Sequence, residues 1–257
     1  MATPENQATE DRLTSSRPYV SAHGRAQVVV FLFLAFIAVS LFSVFSNLLQ
    51  ISFLTDALAG GGVSEESAER NDMRQRASAI LLVAVYVALV VAFLLWLHRA
   101  AKNLPALSNP QSHIEYTPGW AVGWFFVPLA HLFMPYKAVR EVWQKSDPAI
   151  RTETDRAFTP DAASPLLLFW WLSWVAMSVI SRITSRLGRD ASSIDTVRWV
   201  TWADVVGNLV GILAAALAIL VVRDIDRRQE ERSRHVVYLP HMPPPPPQFA
   251  PPPPRGV

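Results

Sequence analysis

The chain has 257 residues, 51% hydrophobic and only 17% charged, against about 25% charged in ordinary soluble domains. Its formal net charge is +2, and the basic residues lie between apolar runs, a distribution that suits membrane orientation rather than nucleic-acid binding. It contains no cysteine, which excludes disulfides, thiolate catalysis and cysteine metal sites.

Stretches without a single charged residue recur along the chain: Ala26 to Thr55, Ala77 to Leu97, Tyr116 to Tyr136, Ala162 to Ser181 and Val205 to Val222. About 20 apolar helical residues cross a bilayer core roughly 30 Å thick. The expected fold is therefore all-α, a polytopic helical membrane protein.

Residues 1–25 are polar and aperiodic, and read as a disordered tail. The first span is placed at 27–49, with Ser40, Ser43 and Ser46 available to bond or pack against a neighbouring helix. Ala57-Leu58-Ala59 has the small-x-small form of a signal-peptidase site. The preceding run, however, is about twice the usual secretory core of roughly 7–15 residues, so it reads as a retained anchor. After Gly60-Gly61-Gly62, Ser64 followed by Glu65 and Glu66 signals a helix N-terminus. That helix should run to about Lys102 and contain a span at 77–98.

Thr117 and Pro118 open a third segment, 118–135, which Pro128 interrupts and Pro135 closes. An unbroken helix from Pro118 to Met134 would reach only about 26 Å, so this segment is expected to be re-entrant or interfacial rather than spanning. Residues 136–146 then form a basic amphipathic helix. Tyr136, Val139, Val142 and Trp143 lie on one face, and Lys137, Arg140, Glu141 and Lys145 on the other. Lys137, Arg140 and Lys145 are candidate contacts for anionic lipid. Further spans are placed at 164–182 and 200–222. Trp170, Trp171, Trp174, Trp199 and Trp202 read as headgroup-level anchors. Residues 224–257 comprise a charged helical extension with Asp224–Arg228 and Glu230–Arg234 pairs, then a proline-rich tail of polyproline II character around Phe249.

Four crossings with a cytoplasmic N-terminus put sixteen Lys/Arg inside against seven outside, whereas five crossings would split them fourteen to nine. The positive-inside bias thus favours four spans and cytoplasmic N- and C-termini in the cell membrane.

The most distinctive stretch runs from Trp96 to Trp143. It contains Trp96, Arg99, Asn103 and Leu104, then Pro118-Gly119-Trp120 with Trp124, Phe125 and Pro128, then Pro135-Tyr136 and Glu141 with Trp143. With the Trp170-Trp171 pair, it resembles the bacterial membrane family of domain of unknown function 4328, over roughly Gln27 to Arg223. One departure is His131, where the family more often has Asn. The resemblance implies a multi-spanning bacterial membrane protein and brings no activity, substrate or catalytic residue.

Candidate functional residues are Arg99, Asn103, Trp120, Trp124, Pro128, His131, Pro135, Glu141, Trp143 and Asp204. Asp204 is the one acid inside an apolar span, with Arg198 or Arg182 as expected partners. His131 lies among apolar residues. Trp120 and Trp124 suit lipid anchoring or an aromatic ligand site. Gly207 and Gly211 form a small-xxx-small pattern for close helix packing. The remaining histidines lack metal-ligand spacing and no nucleophile motif is present, so no catalytic residue, metal or cofactor is expected. The leading expectation is a non-enzymatic membrane scaffold or accessory protein with a cytoplasmic proline-rich tail that recruits a partner. The alternative is a small transporter or channel subunit, with the third segment as pore element and Asp204 as its ion-binding acid.

Overall fold

A computed structural model describes residues 13–15, 18–62, 64–108, 113–149 and 164–238. The proline-rich tail and the carboxylates of the loop after Asp147 lie outside the described residues. Four helices are long and apolar enough to cross a membrane: α1 (His23–Leu58), α2 (Glu65–Leu107), α5 (Pro165–Arg189) and α6 (Ile194–Ser233). Between α2 and α5 lie the short α3 (Pro118–Gly123), 3-10 turns at Trp124–Phe126 and Ala130–Leu132, and α4 (Met134–Lys145).

Local chemistry sets these boundaries. The Ser64 side chain accepts the Ser67 N–H ahead of two acids in the first turn of α2. Ser193 does the same for Thr196 at the start of α6, and Thr117 for Trp120 at α3, where Pro118 takes the first helical position. The expected spans sit inside longer helices. At 40 residues, α6 extends roughly 60 Å and leaves the membrane at the end where α1 begins. Helix α2 continues through Pro105 in its final turn, past the expected stop at Lys102.

Helix α6 packs along both α1 and α5, and α1 packs along α2. The bundle is thus an arc in the order α5, α6, α1, α2. Helices α2 and α5 approach one another through aromatic side chains such as Phe93 and Trp170, with ring centroids 6.1 Å apart. On the α5–α6 interface a Cβ at Gly207 would lie 3.0 Å from Ile180 Cγ2, and one at Gly211 would lie 3.0 Å from Met177 Sδ. Glycine at both positions lets these helices approach without displacing Ile180 or Met177. Between α1 and α2, Ser43 and Ser78 hydroxyls bond at 2.8 Å, and Arg74 Nε donates to Ser46 Oγ at 3.1 Å. The serine stripe of the first span is therefore a helix–helix seam, although Ser40 Oγ is buried without a partner.

The proline-broken segment leaves and returns at one end of the bundle. The Glu141 carboxylate of α4 accepts the backbone N–H groups of Glu115 (2.7 Å) and Tyr116 (3.0 Å), which clamps the start of the segment to its finish. Its Phe125 ring meets Phe93, with centroids 6.1 Å apart, and Phe93 lies six residues inside Arg99. The segment therefore reaches the level of Phe93, roughly 9 Å along α2 from Arg99. Four helices able to cross a membrane, plus a proline-broken segment that starts and finishes at one end of the bundle, make up the architecture. At its turn, Leu129 has φ 63° and ψ −46°, and the Ala130 N–H donates to the Pro128 carbonyl at 2.7 Å. This is a γ-turn, a strained conformation for a residue with a side chain.

The tryptophans of α5 are not headgroup anchors. Trp170 and Trp171 are buried in the core with Phe93 and Phe125, because the re-entrant segment covers the face that would otherwise meet lipid. Trp199 and Trp202, without such a cover, are exposed. Three-residue strands at Leu13–Ser15 and Val236–Tyr238 pair in parallel, which joins part of the polar N-terminal tail to the chain after α6.

Candidate functional site

A polar network occupies the end of the bundle where α1 starts and α6 finishes, called here the shared end. Asn103 of α2 is 1% exposed, and its Nδ2 donates to the Val20 carbonyl (3.0 Å) and to Gln229 Oε1 (3.2 Å). Arg99 Nε also donates to Val20 O, at 3.2 Å. Gln229 Nε2 in turn donates to the Ala100 carbonyl (3.0 Å) and to Ser146 Oγ (3.1 Å). Arg232 Nε satisfies the Leu107 carbonyl at the C-terminus of α2 at 2.5 Å, and its other arm reaches the Asp147 carbonyl. Buried amides and guanidinium groups thus find acceptors on four separate stretches of chain, as burial demands.

Trp143 of α4 donates its indole N–H to Asp224 at 2.6 Å, and the Arg228 guanidinium lies 4.0 Å above the same ring. Arg228 also pairs with Asp147 (2.7 Å) and Asp224 (2.9 Å). Burial pushes the Asp224 carboxyl upward, but bonds from Arg227, Trp143 and Arg228 outweigh it and hold the group below its usual range. On the outer side of α6, His23 Nδ1 meets Asp226 at 2.7 Å. That bond, helped by the Asp226 charge, raises the His23 pKa above its ordinary value. Tyr19 and Ser21 both donate to Glu230.

The α6 extension therefore departs from the expected solvated helix. The Asp224–Arg228 pair forms, but Glu230 is taken by Tyr19 and Ser21. The buried residues Val222, Ile225, Gln229 and Arg232 continue a single helical face past the last apolar residue. Gln229 and Arg232 were missed because they are polar. Their three- and four-residue spacing from Val222 and Ile225 was the available signal.

The amphipathic helix also departs from expectation. Its buried side includes Glu141 and Lys145. Lys145 Nζ lies 3.1 Å from Glu141 and donates to the His113 carbonyl, with its side chain 4% exposed. Lys145 is therefore not a lipid contact, since the i,i+4 carboxylate and a backbone carbonyl draw its ammonium inward. Lys137 remains exposed and Arg140 half-buried.

The other candidates scatter. Trp120 is half-exposed and lies against Trp124 in a tilted pair with ring centroids 4.8 Å apart, and Trp124 has a buried indole N–H without a partner. Pro128 precedes the strained Leu129, and Pro135 is buried in the first turn of α4. His131 lies 3.4 Å from Arg182 of α5. Asp204 pairs with neither expected arginine, because Arg198 is held by Asp195 and Arg182 by His131. Its carboxylate lies beside Thr184 instead, whose hydroxyl donates to the Ser181 carbonyl at 3.2 Å. Thr184 is ten residues along α5 from Trp174, which packs on Phe125. Asp204 is thus roughly 15 Å along the bundle from the Phe125 ring, whereas His131 of the same segment reaches Arg182, two residues from Thr184. Among the described residues no group of three or more His, Cys, Asp or Glu is placed to hold a metal ion.

A separate cavity of about 240 Å³ opens between α2 and α5 beside the exposed Phe126 ring. Phe93, Phe125, Trp171, Trp174, Met177 and Gly211 contribute to its walls. Among its polar groups, the Trp171 indole donates to the Leu132 carbonyl at 3.0 Å, and the Trp174 indole lies beside the Tyr86 hydroxyl.

These features define a four-span helical membrane protein with a re-entrant segment clamped at one end. The profile of the family described as "Domain of unknown function (DUF4328)" matches residues 59–227, more than half of the chain, and the protein belongs to that family. The match begins after α1, so the first span lies outside it. Comparison with curated proteins and with solved structures finds no match.

Proposed function

We propose that this protein is a non-enzymatic scaffold or accessory protein of the cell membrane, with both tails in the cytoplasm and the proline-rich tail recruiting a partner. The observation that carries this reading is the shared-end network. Val20, Ala100, Asn103, Leu107, Ser146, Asp147, Gln229 and Arg232 fasten the start of α1 and the ends of α2, α4 and α6 into one polar plate. A plate so cross-linked is suited to holding tails in fixed positions rather than to opening and closing. Exposed Lys137, with Arg140 beside it, would lie against anionic headgroups on the same side.

The tail from Pro243 to Pro254 supplies an extended, low-entropy ligand for an aromatic groove. The full-length protein and a variant ending at Met242 would be captured from the same membranes after mild cross-linking. A partner present with the first and lost with the second supports the reading. Identical sets of captured proteins would sink it. The transporter alternative requires the re-entrant segment and Asp204 to act together; His131 of the segment reaches Arg182, near Asp204, but no hydrogen bond or ion pair joins His131 to Asp204 among the described residues.

A further inference from the structure

We propose that the aromatic cavity and the arginines of α5 form a binding site for one anionic phospholipid of the leaflet opposite the shared end, its acyl chain in the cavity and its phosphate on Arg182, Arg186 and Arg189. One face of α5 carries Trp171, Trp174, Ser178, Arg182 and Arg189 in turn, with Arg186 flanking it. The face is therefore aromatic where it lines the cavity and cationic beyond it. All three arginines are exposed, and none has a carboxylate within ion-pair distance among the described residues. Arg182 meets only the imidazole of His131, at 3.4 Å. An arginine this close to the apolar layer calls for an anion, and Asp204, the nearby acid beside Thr184, makes no ion pair with it.

The dimensions match this occupant. Met177 lines the cavity, and Arg186 lies nine residues further along α5, roughly 14 Å away. One leaflet of the hydrocarbon core is about 15 Å thick. A phosphate at Arg186 therefore leaves one acyl chain long enough to reach Trp174 and Phe126. The cavity walls are overwhelmingly apolar, so hydrocarbon fills it better than water. A zwitterionic lipid would fill the cavity equally well, but its positive headgroup would oppose the arginine stripe. The predicted selectivity is thus for net negative charge. This site is distinct from the surface at Lys137, which belongs to the shared end.

The test is native mass spectrometry of the full chain titrated with phosphatidylglycerol and with phosphatidylcholine of the same acyl composition. The expected result is one tightly retained phosphatidylglycerol, with about tenfold preference over phosphatidylcholine. Combined Arg182→Gln, Arg186→Gln and Arg189→Gln should bring phosphatidylglycerol down to the phosphatidylcholine level while helicity stays unchanged, since all three side chains are exposed. Ala214→Leu, which projects a side chain into the cavity, should weaken both lipids. Equal retention of the two lipids by the unmodified protein would overturn the proposal, as would a preference that survives the arginine substitutions or disappears with Lys137→Gln.

Discussion

Replacing Glu141 by Gln keeps the shape of the side chain and deletes its charge. In the native structure that carboxylate accepts two backbone N–H groups, from Glu115 and Tyr116, and faces the Lys145 ammonium at 3.1 Å. The pair is deeply buried, with side-chain exposures of 10% and 4%. Removing one member of a buried pair strands the other charge and costs about 3–5 kcal/mol. The Gln carbonyl can accept one of the two N–H groups, but its amide nitrogen opposes the second. Lys145 keeps the His113 carbonyl, which places the expected loss at the lower end, about 3 kcal/mol. Hydrogen exchange in lipid nanodiscs, followed on a peptide covering residues 113–117, reads this locally. The amides of Glu115 and Tyr116 should exchange roughly 100-fold faster, at about 1.4 kcal/mol per decade. Adding Lys145→Met removes the stranded cation and should recover part of the loss. Exchange within threefold of the native rate in Glu141→Gln would refute the clamp, as would a double variant showing the sum of the two single losses.

The two glycines of α6 should respond differently to alanine. Gly207→Ala drives a methyl group against the β-branched Ile180 and should cost about 1–2 kcal/mol in detergent unfolding, whereas at Gly211 the nearest atom belongs to the flexible Met177, so the loss should be smaller; equal losses would contradict the packing described. The His23–Asp226 contact makes stability depend on pH. Because its pKa is raised in the folded state, the contribution is complete below the ordinary value of 6.5 and fades as pH rises through the higher folded value. The difference in thermal midpoint between the native chain and His23→Ala should accordingly shrink on going from pH 6 toward pH 9, and a constant difference would remove the assignment. Single cysteines at the exposed positions Lys102 and Ala149, in a chain that has no other, should react with an impermeant maleimide from the same face of the membrane. Labelling from opposite faces would mean that the segment between them crosses.

The four spans and the broken segment were legible because hydrocarbon imposes its own length scale, and uncharged runs announce it regardless of tertiary contacts. The caps at Ser64 and Thr117 were likewise local signals. The polar plate was not legible, because its bonds join residues far apart in sequence. Nothing near Gln229 announces that its amide will meet Ala100 and Asn103. Lys145 looked like a headgroup ligand for the same reason. Its distance from Glu141 could be read from helical spacing, but burial of the pair depends on where the chain at His113 returns. The tryptophans of α5 show the converse case. Composition placed them at an interface, and the re-entrant segment converted that surface into core.

The plate also sets a timetable for biosynthesis. The Leu107 carbonyl that closes α2 waits for Arg232, 125 residues later, and the Ala100 carbonyl waits for Gln229, 129 residues later. At ribosomal speeds of about 5–20 residues per second, α1 and α2 sit inserted for roughly 6–25 s before their partners emerge. Through that interval Asn103 has neither Gln229 nor the paired end of α6, and the nascent chain presents an incomplete polar edge to the insertion machinery. The last helix to be made is the one that seals the first two.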